Sequence, residues 1–230
     1  MSERENILGR IREALQTKAP LPGSHTAGGT TTHRATESPA AQAREWLPLV
    51  GATVEEQLAL FAKSAADLKA DFQPLASRAD LKPALLRLRE AENWQRIASH
   101  QGELSSLAAN ALGLPVLWTD TGYDVQAMEQ CDAGITECDA LIAQTGGVAV
   151  TSRSAGGRAL SVLPPHHIVI ARRDQLVADL PAAFALLQQK YTPDFPSMIS
   201  FITGPSRTGD IERILVLGAH GPKKLTIFCV

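Results

Sequence analysis

The sequence predicts an α/β fold with a largely parallel sheet, and three observations lead to this prediction. From Ala41 onward, amphipathic helical segments alternate with short apolar runs. Most of these runs are continuous rather than alternating, as in strands that are buried on both faces. Glycine or proline flanks most of them, which places turns between the elements. A hairpin-like pair of runs around His220-Gly221-Pro222 predicts one mixed edge of the sheet.

Composition narrows the class of protein. The chain has 230 residues, 44% of them hydrophobic and 20% charged, enough for one large domain with or without a small accessory. The net charge of -2, without blocks of like charge, favours neither nucleic acid nor a membrane surface as partner. No run approaches the roughly 20 apolar residues of a membrane span. The N-terminus lacks the apolar region of a secretory signal, so we expect a cytoplasmic protein.

The N-terminal segment divides into a helix and a linker. Ser2 and Glu5 have the spacing of a capping box, and an apolar stripe follows them at helical period. Proline, glycine, serine and threonine then dominate without any apolar period, which is typical of a flexible tether. We therefore expect an amphipathic helix over 1–16, a linker over 17–44 and an α/β domain over 45–230.

The first half of that domain is predicted to be mainly helical. Thr53 and Glu56 form a second capping box at the start of a helix. Asp80 is placed to cap another helix, with Pro83 in its first turn. A helix over 104–112 should end at Gly113 in the left-handed conformation. Short strands are expected in the segments DFQPLA (71–76), WQRIAS (94–99) and PVLW (115–118).

The second half is predicted to be richer in strands, with one helix that begins after Asp179 and runs to Lys190. In open α/β sheets, ligands collect at the carboxyl ends of the strands. The turns that leave ALIA, VAVT and FIT are therefore the expected location of a site. The predicted strands are ALIA (140–143), VAVT (148–151), HHIVIA (166–171), MISFIT (198–203), ILVL (214–217) and LTIFCV (225–230).

The turn Gln144-Thr145-Gly146-Gly147 is the first candidate for ligand binding. Two glycines permit positive φ and a close approach to the backbone, while the amide and the hydroxyl can form hydrogen bonds. The alternative is a tight hairpin in which the glycines serve geometry alone.

The turn Gly204-Pro205-Ser206-Arg207-Thr208 is the second candidate. Backbone N–H groups, two hydroxyls and a fixed cation after a strand suit a carboxylate or a phosphate. The alternative is that Ser206 caps a helix while Arg207 pairs with Asp210 or Glu212. The spacing matches neither a Walker loop nor a dinucleotide fingerprint.

Three further residues could join the same site. Arg158, after two glycines, could supply a second cation, and His167 and His220 lie next to turns. Catalytic residues are not identified, because no metalloprotease, serine-hydrolase or Cys/His motif occurs. A base would have to come from Glu137, Asp139, Asp210 or Glu212. The cysteines Cys131, Cys138 and Cys229 fit buried thiols rather than a disulfide framework, a zinc site or an iron–sulfur site.

Five motifs in order resemble the lactate utilization protein C family, whose shared unit is the LUD domain. The resemblance covers roughly residues 45–230 and is most specific in GPSRT and HGP. The motifs are Gly134-Ile135-Thr136, Asp139 to Gly146 (DALIAQTG), Leu163 to Ile168 (LPPHHI), Ile202 to Thr208 (ITGPSRT) and Leu217 to Pro222 (LGAHGP).

This resemblance implies a Rossmann-like fold of the sugar-phosphate isomerase and CoA-transferase group. It also implies a role as one of three proteins that oxidise L-lactate to pyruvate. Iron–sulfur oxidoreductase-like subunits would be the partners and would carry the clusters, with no cofactor in this chain. Relatives often have an acidic residue where this chain has Gln144. An amide cannot act as a carboxylate nucleophile, so binding is favoured over covalent chemistry at that position.

The leading hypothesis is therefore a non-redox accessory subunit of an L-lactate oxidising complex that binds a small carboxylate, a phosphate or a partner. One alternative is a free-standing enzyme of CoA-transferase, isomerase or ligase type that acts on an anionic metabolite, with Arg207 and Arg158 as the clamp. Another is a ligand-sensing module without catalysis. Homo-oligomer formation is left open.

Overall fold

The computed structural model describes residues 3–16, 47–208, 216–218 and 220–230. The predicted N-terminal helix is present as α1, Glu3–Gln16, and the apolar side chains of Ile7 and Leu8 are exposed. It belongs to a separate compact unit, and the remaining elements form a second one that begins at Ala43. Ser2 and the predicted linker lie outside the described residues, so the predicted domain boundaries stay predictions.

The elements of the second unit alternate along the chain as expected. Its helices are α2 (Val54–Asp67), α3 (Leu81–Glu92), α4 (Glu103–Leu112), α5 (Val125–Glu129) and α6 (Leu180–Tyr191). Its strands are β1 (Asp71–Pro74), β2 (Ile97–Ser99), β3 (Val116–Trp118), β4 (Ala133–Glu137), β5 (Ala140–Ile142), β6 (Gly147–Thr151), β7 (His166–Ala171), β8 (Leu176–Val177), β9 (Ile199–Ile202), β10 (Arg207–Thr208), β11 (Val216–Leu217) and β12 (Lys224–Cys229).

Six strands form a wholly parallel sheet in the order β1-β12-β7-β4-β2-β3. This confirms the prediction of an α/β fold with a largely parallel sheet. The central strands β4, β7 and β12 are buried over most of their length on both faces, which accounts for their continuous apolar runs. The expected kinship with sugar-phosphate isomerases and CoA-transferases stays a prediction.

The remaining strands form two smaller sheets. One has four strands in the order β8-β5-β6-β9, with antiparallel β5–β6 and β6–β9 pairs, and the other is the antiparallel pair β10–β11. ALIA, VAVT and MISFIT therefore lie outside the parallel sheet, and the alternative of a hairpin at Gln144-Thr145-Gly146-Gly147 is confirmed. An apolar run does not identify the partner strands: β5 and β6 are buried throughout in this second sheet, whereas β9 is half-buried for most of its length.

The expected hairpin around His220-Gly221-Pro222 is also wrong. β11 pairs with β10, while β12 lies inside the parallel sheet between β1 and β7. The last strand is apolar on both faces, so an interior position buries more of it than an edge would.

Capping residues explain where several helices begin and end. Thr53 and Glu56 form the predicted capping box of α2, and Asp179 accepts from the N–H of Ala182 at the start of α6. Gly113 ends α4 with φ of 63°, as predicted. Asp80 does not cap α3 as expected. Its carboxylate instead accepts hydrogen bonds from the backbone and hydroxyl of Ser77.

The parallel sheet separates two apolar layers. On one face, Ile135, Ile168 and Phe228 pack with α3 and α4. On the other face, Val169 and Ile227 pack with α2 and with the β5–β6 hairpin. This arrangement places α2 and the four-stranded sheet on the same side, and both glycine turns approach α2 there. Among the residues the structure describes, no helix is long and apolar enough to cross a membrane.

Candidate anion-binding site at the amino edge of the parallel sheet

The second predicted turn, Gly204–Thr208, is joined by backbone hydrogen bonds to the segment that precedes β12. The N–H of Ser206 donates to the Pro222 carbonyl at 2.8 Å, and the N–H of Gly218 donates to the Ser206 carbonyl at 2.9 Å. A Cβ on Gly221 would meet Cβ of Ser206 at 3.1 Å, so a larger residue there would crowd the contact. The GPSRT and HGP motifs, which residues 209–219 separate in the sequence, therefore form one structure.

A cavity of about 430 Å³ opens between these two segments. It contains four of the residues predicted to bind a ligand, namely Gly204, Ser206, Arg207 and His220. The side chains of Arg207 and His220 are exposed to solvent. The complete lining is Ser161, Val162, Ser200 to Arg207 and His220 to Pro222. We call this space the small cavity.

A second cavity of about 560 Å³ lies beside it and shares Pro205 and Arg207 with it. It is bordered by the first residues of three parallel strands, Asp71 of β1, His166 of β7 and Lys224 of β12. We call it the large cavity. Its lining is Lys69, Asp71, Leu88, Glu92, His166, Pro205, Arg207, Lys223, Lys224, Leu225 and Thr226.

The large cavity therefore opens at the amino edge of the main sheet, whereas the site was expected at carboxyl ends of its strands. The expectation treated the strand before GPSRT as a member of the parallel sheet. That strand is β9 of the four-stranded sheet, and its carboxyl end delivers the turn to the opposite edge of the main sheet.

The first predicted turn, Gln144–Gly147, closes the β5–β6 hairpin. Gln144 donates from Nε2 to the Pro48 carbonyl at 3.0 Å, and the Thr145 hydroxyl accepts from the N–H of Gly147. Gly146 has φ of 63°, and a Cβ there would collide with the backbone of α2. The turn touches the chain before GPSRT through Gly147 and Thr203, but it lines neither cavity. Its glycines thus serve close packing.

Three other predicted residues stand apart from the cavities. Arg158 is exposed and lines neither, although its carbonyl accepts from the hydroxyl of Ser161 in the small cavity. His167 is buried inside the sheet, where Nε2 lies 2.9 Å from the Thr136 hydroxyl. Thr208 pairs with Val216 in the β10–β11 ladder. A ligand-binding role for these residues stays a prediction without support from their positions.

His166, next in sequence to His167, faces the large cavity. Its Nε2 lies 2.9 Å from the Thr226 hydroxyl, which donates to the Asp71 carboxylate at 3.4 Å. The tautomer with the proton on Nε2 satisfies both contacts, and Nδ1 has no hydrogen-bond partner among the described atoms. Burial lowers the pKa of His166 to about 4, so the ring is neutral at physiological pH.

The acidic groups of the large cavity have partners. Glu92 binds the ammonium group of Lys224 at 2.6 Å, and Asp71 accepts from the amide of Gln73 at 2.7 Å. Lys69, Arg207 and Lys223 have no acidic partner within the described part of the chain. The cavity therefore presents an excess of positive charge.

The predicted acidic candidates for a base have structural partners where they are described. Glu137 accepts from the N–H groups of Leu104 and Ser105 and from the Ser105 hydroxyl, so it caps α4. Asp139 is buried and accepts from Lys190 and Tyr191. Asp210 and Glu212 lie outside the described residues. The predicted cysteines are free and buried, as expected, and burial raises the pKa of each thiol.

Sequence reasoning missed most of the large cavity. The adjacent Lys223 and Lys224, directly before an apolar run, were a usable signal for two of its cations. Lys69, Asp71 and Glu92 carried no signal, because only the packing of α2, β1 and α3 against the sheet brings them to this edge.

Comparison with known proteins finds relatives for the part of the chain that contains both glycine turns. Residues 121–230 match the model of the LUD domain. The chain is similar to lactate utilization protein C of Bacillus licheniformis, with 36% identity over 109 residues, or 46% of this chain and 45% of that protein. The protein of the same name from Shouchella clausii is 39% identical over 111 residues, which are 47% of this chain and 48% of the relative.

A third lactate utilization protein C, from Deinococcus radiodurans, is 31% identical over 128 residues, 51% of this chain and 59% of the relative. The chain thus spans about half the length of the curated relatives it matches. A solved structure, a DUF162 family protein from Deinococcus radiodurans, has a TM-score of 0.58 and 23% identity. The alignment covers 80% of this chain and 99% of that one, which supports the fold. The match to the LUD domain model thus covers residues 121–230, a little under half of the chain.

Proposed function

We propose that this chain is a component of a system that oxidises L-lactate to pyruvate, as a non-redox accessory subunit in the cytoplasm. The names of its relatives support the pathway. The observation that carries the molecular part is the small cavity, where the GPSRT and HGP segments are bonded together around Arg207. A guanidinium in a cavity that is also lined by serine and threonine residues suits a small carboxylate such as lactate or pyruvate.

Growth on L-lactate as the sole carbon source tests the pathway. Deletion of the gene should abolish or slow growth, and the wild-type gene should restore it. Arg207→Ala should restore it poorly, because the proposed carboxylate loses its bidentate partner. Arg78→Ala is the matched control, since Arg78 lies after the carboxyl end of β1 and its ion pair with Glu103 is exposed. Undiminished growth of the deletion strain would contradict the role.

Calorimetric titration of the purified chain with L-lactate and pyruvate tests the site. Arg207→Ala should weaken carboxylate binding by about tenfold or more, as expected for the loss of a charge-assisted hydrogen bond. His220→Ala, at another residue of the small cavity's lining, should give a smaller loss. If the wild type and Arg207→Ala bind L-lactate and pyruvate with equal affinity, Arg207 does not bind the carboxylate and the proposed site is wrong.

The proposed partners are iron–sulfur oxidoreductase-like subunits that carry the clusters. The three cysteines of this chain cannot supply the four thiolates of a usual cluster site. Co-expression with the candidate subunits, followed by affinity purification through this chain, should yield a complex that contains iron and acid-labile sulfide. Separate elution of all subunits would argue against an accessory role. Turnover of L-lactate by this chain alone would instead favour a free-standing enzyme.

A further inference from the structure

The large cavity contains a lysine that occupies a costly backbone position. Lys69 has φ of 67°, in the left-handed region that favours glycine at the end of a helix. It follows Leu68, the C-terminal cap of α2, and its N–H donates to the Ala66 carbonyl at 2.9 Å. Strained non-glycine residues of this kind concentrate at functional sites. Glycine would avoid the strain at position 69, but a lysine there places a positive charge at the wall of the large cavity.

A second lysine of the large cavity, Lys223, packs closely over Gly218. Gly218 has φ of 74°, and a Cβ there would collide with Cγ of Lys223. The absence of a side chain at Gly218 therefore makes room for the stem of Lys223. The N–H of Lys223 also donates to the Pro165 carbonyl at 2.8 Å, which fixes its backbone.

The third cation, Arg207, is anchored by its own turn. Its Nη2 donates to the Thr203 carbonyl at 3.2 Å, and Gly204, with φ of 86°, seats that turn against the Leu68 carbonyl. Lys69 is the residue after Leu68, so the contact between Gly204 and the Leu68 carbonyl places the turn that contains Arg207 next to Lys69. Three cations without a described acidic partner thus line one cavity, although like charges repel.

We propose that the large cavity is a binding site for organic phosphates. Lys69, Arg207 and Lys223 would meet the phosphoryl oxygens, which accept hydrogen bonds from ammonium and guanidinium groups. Leu88, Pro205 and Leu225 supply an apolar wall for the organic part of the ligand.

Charge distinguishes this site from the proposed carboxylate site. The four cations of the lining outnumber its two carboxylates, Asp71 and Glu92, by two, so a lactate ion with one negative charge would leave half of the excess uncompensated. A phosphate monoester near pH 7 carries close to two charges on three terminal oxygens. The volume of about 560 Å³ leaves room for an organic body beside the phosphoryl group.

Isothermal titration with three probes tests the ligand class. The probes are phenyl phosphate, inorganic phosphate and benzoate, which separate the contribution of the phosphoryl group from that of the organic body. Phenyl phosphate should bind at least tenfold more tightly than either of the others, because it alone uses both the cations and the apolar wall. Benzoate binding as tight as that of phenyl phosphate would overturn the proposal.

Two substitutions of the lysines test the location. Lys69→Gly removes a cation and relieves the left-handed strain, so phenyl phosphate affinity should fall about tenfold without a lower melting temperature. Lys223→Ala should weaken binding by a similar factor. Lys63→Ala, an exposed lysine of α2 that lines neither cavity, is the matched control and should bind like the wild type.

The lysine variants also separate this site from the carboxylate site. Lys69 and Lys223 line the large cavity and not the small one. Their substitution should leave L-lactate affinity within about twofold of the wild-type value. If the double variant Lys69→Gly/Lys223→Ala still binds phenyl phosphate like the wild type, the large cavity is not the phosphate site. This conclusion holds whatever the growth phenotype on lactate.

Discussion

The buried carboxylate of Asp139 is held by two consecutive residues at the end of α6. Lys190 donates to Oδ1 at 2.7 Å and the Tyr191 hydroxyl donates at 2.6 Å, while Tyr191 also meets the Thr151 hydroxyl at 3.2 Å. Burial opposes ionisation of Asp139, but the bonds from Lys190 and Tyr191 outweigh it and hold the pKa below its usual value. The carboxylate is thus ionised and ties β5 to α6.

Tyr191→Phe should lower the free energy of unfolding by about 1–3 kcal/mol, because it removes one donor from a buried carboxylate. Chemical denaturation monitored by circular dichroism measures the change. Tyr123→Phe is the matched control, since Tyr123 is 41% exposed, and it should change stability by less than about 0.5 kcal/mol. Equal effects of the two variants would show that the hydroxyl of Tyr191 contributes nothing specific.

At the scale of elements, α2 organises the side of the sheet on which the turns lie. Its capping box is complete, with the N–H of Glu56 donating to the Thr53 hydroxyl at 3.2 Å and the Thr53 N–H donating to Glu56 at 3.0 Å. Gly146 packs against Ser64 and Ala65 in the last turn of the helix, and Gly204 packs against its C-terminal cap, Leu68. One helix therefore sets the position of both glycine turns.

Gly204→Ala should destabilise the protein by about 2 kcal/mol or more, because alanine is strained at φ of 86° and its Cβ would collide with the Leu68 carbonyl. Gly157→Ala separates these two effects. Gly157 has φ of 102° with open space around its Cβ position, so only the backbone strain should appear. Thermal unfolding of both variants gives the comparison, and a smaller loss for Gly204→Ala would contradict the close contact with α2.

At the scale of the whole molecule, two neighbouring histidines couple folding to pH. Burial lowers the pKa of His166 to about 4 and, with the adjacent His166 as a minor cause, that of His167 to about 3. Both rings bond to threonine hydroxyls of neighbouring strands, Thr226 and Thr136. The folded chain therefore keeps both rings neutral over a range in which the unfolded chain protonates them.

The free energy of unfolding should fall as pH drops below about 6.5, the ordinary histidine pKa, and should continue to fall to about 4 for His166 and about 3 for His167. The unfolded state binds more protons in this window. A pKa that is lower by one in the folded chain than in the unfolded chain corresponds to about 1.4 kcal/mol, so each histidine should contribute a loss of a few kcal/mol. Urea unfolding at pH 7, 6, 5 and 4 measures it. His167→Gln should flatten the dependence, and an unchanged slope would rule out His167 as a source.

The sequence alone predicted much of this molecule, because its signals are local. Helix bounds followed from capping residues such as Thr53 and Asp179, and buried strands followed from continuous apolar runs. The ordered motifs pointed to the LUD domain, whose model matches residues 121–230, and the turn containing Arg207 was predicted to bind an anion from its residue types.

Only the tertiary structure decided which strands share a sheet and which edge carries the cavities. An apolar run states that a strand is buried, but it does not name its neighbours, so β12 was expected in a hairpin and lies between β1 and β7. The large cavity depends on Lys69 and Lys223, which are 154 positions apart in the chain and share a wall only after α2 and β12 pack together. Local pattern determines an element, whereas a site requires the long-range contacts that place elements side by side.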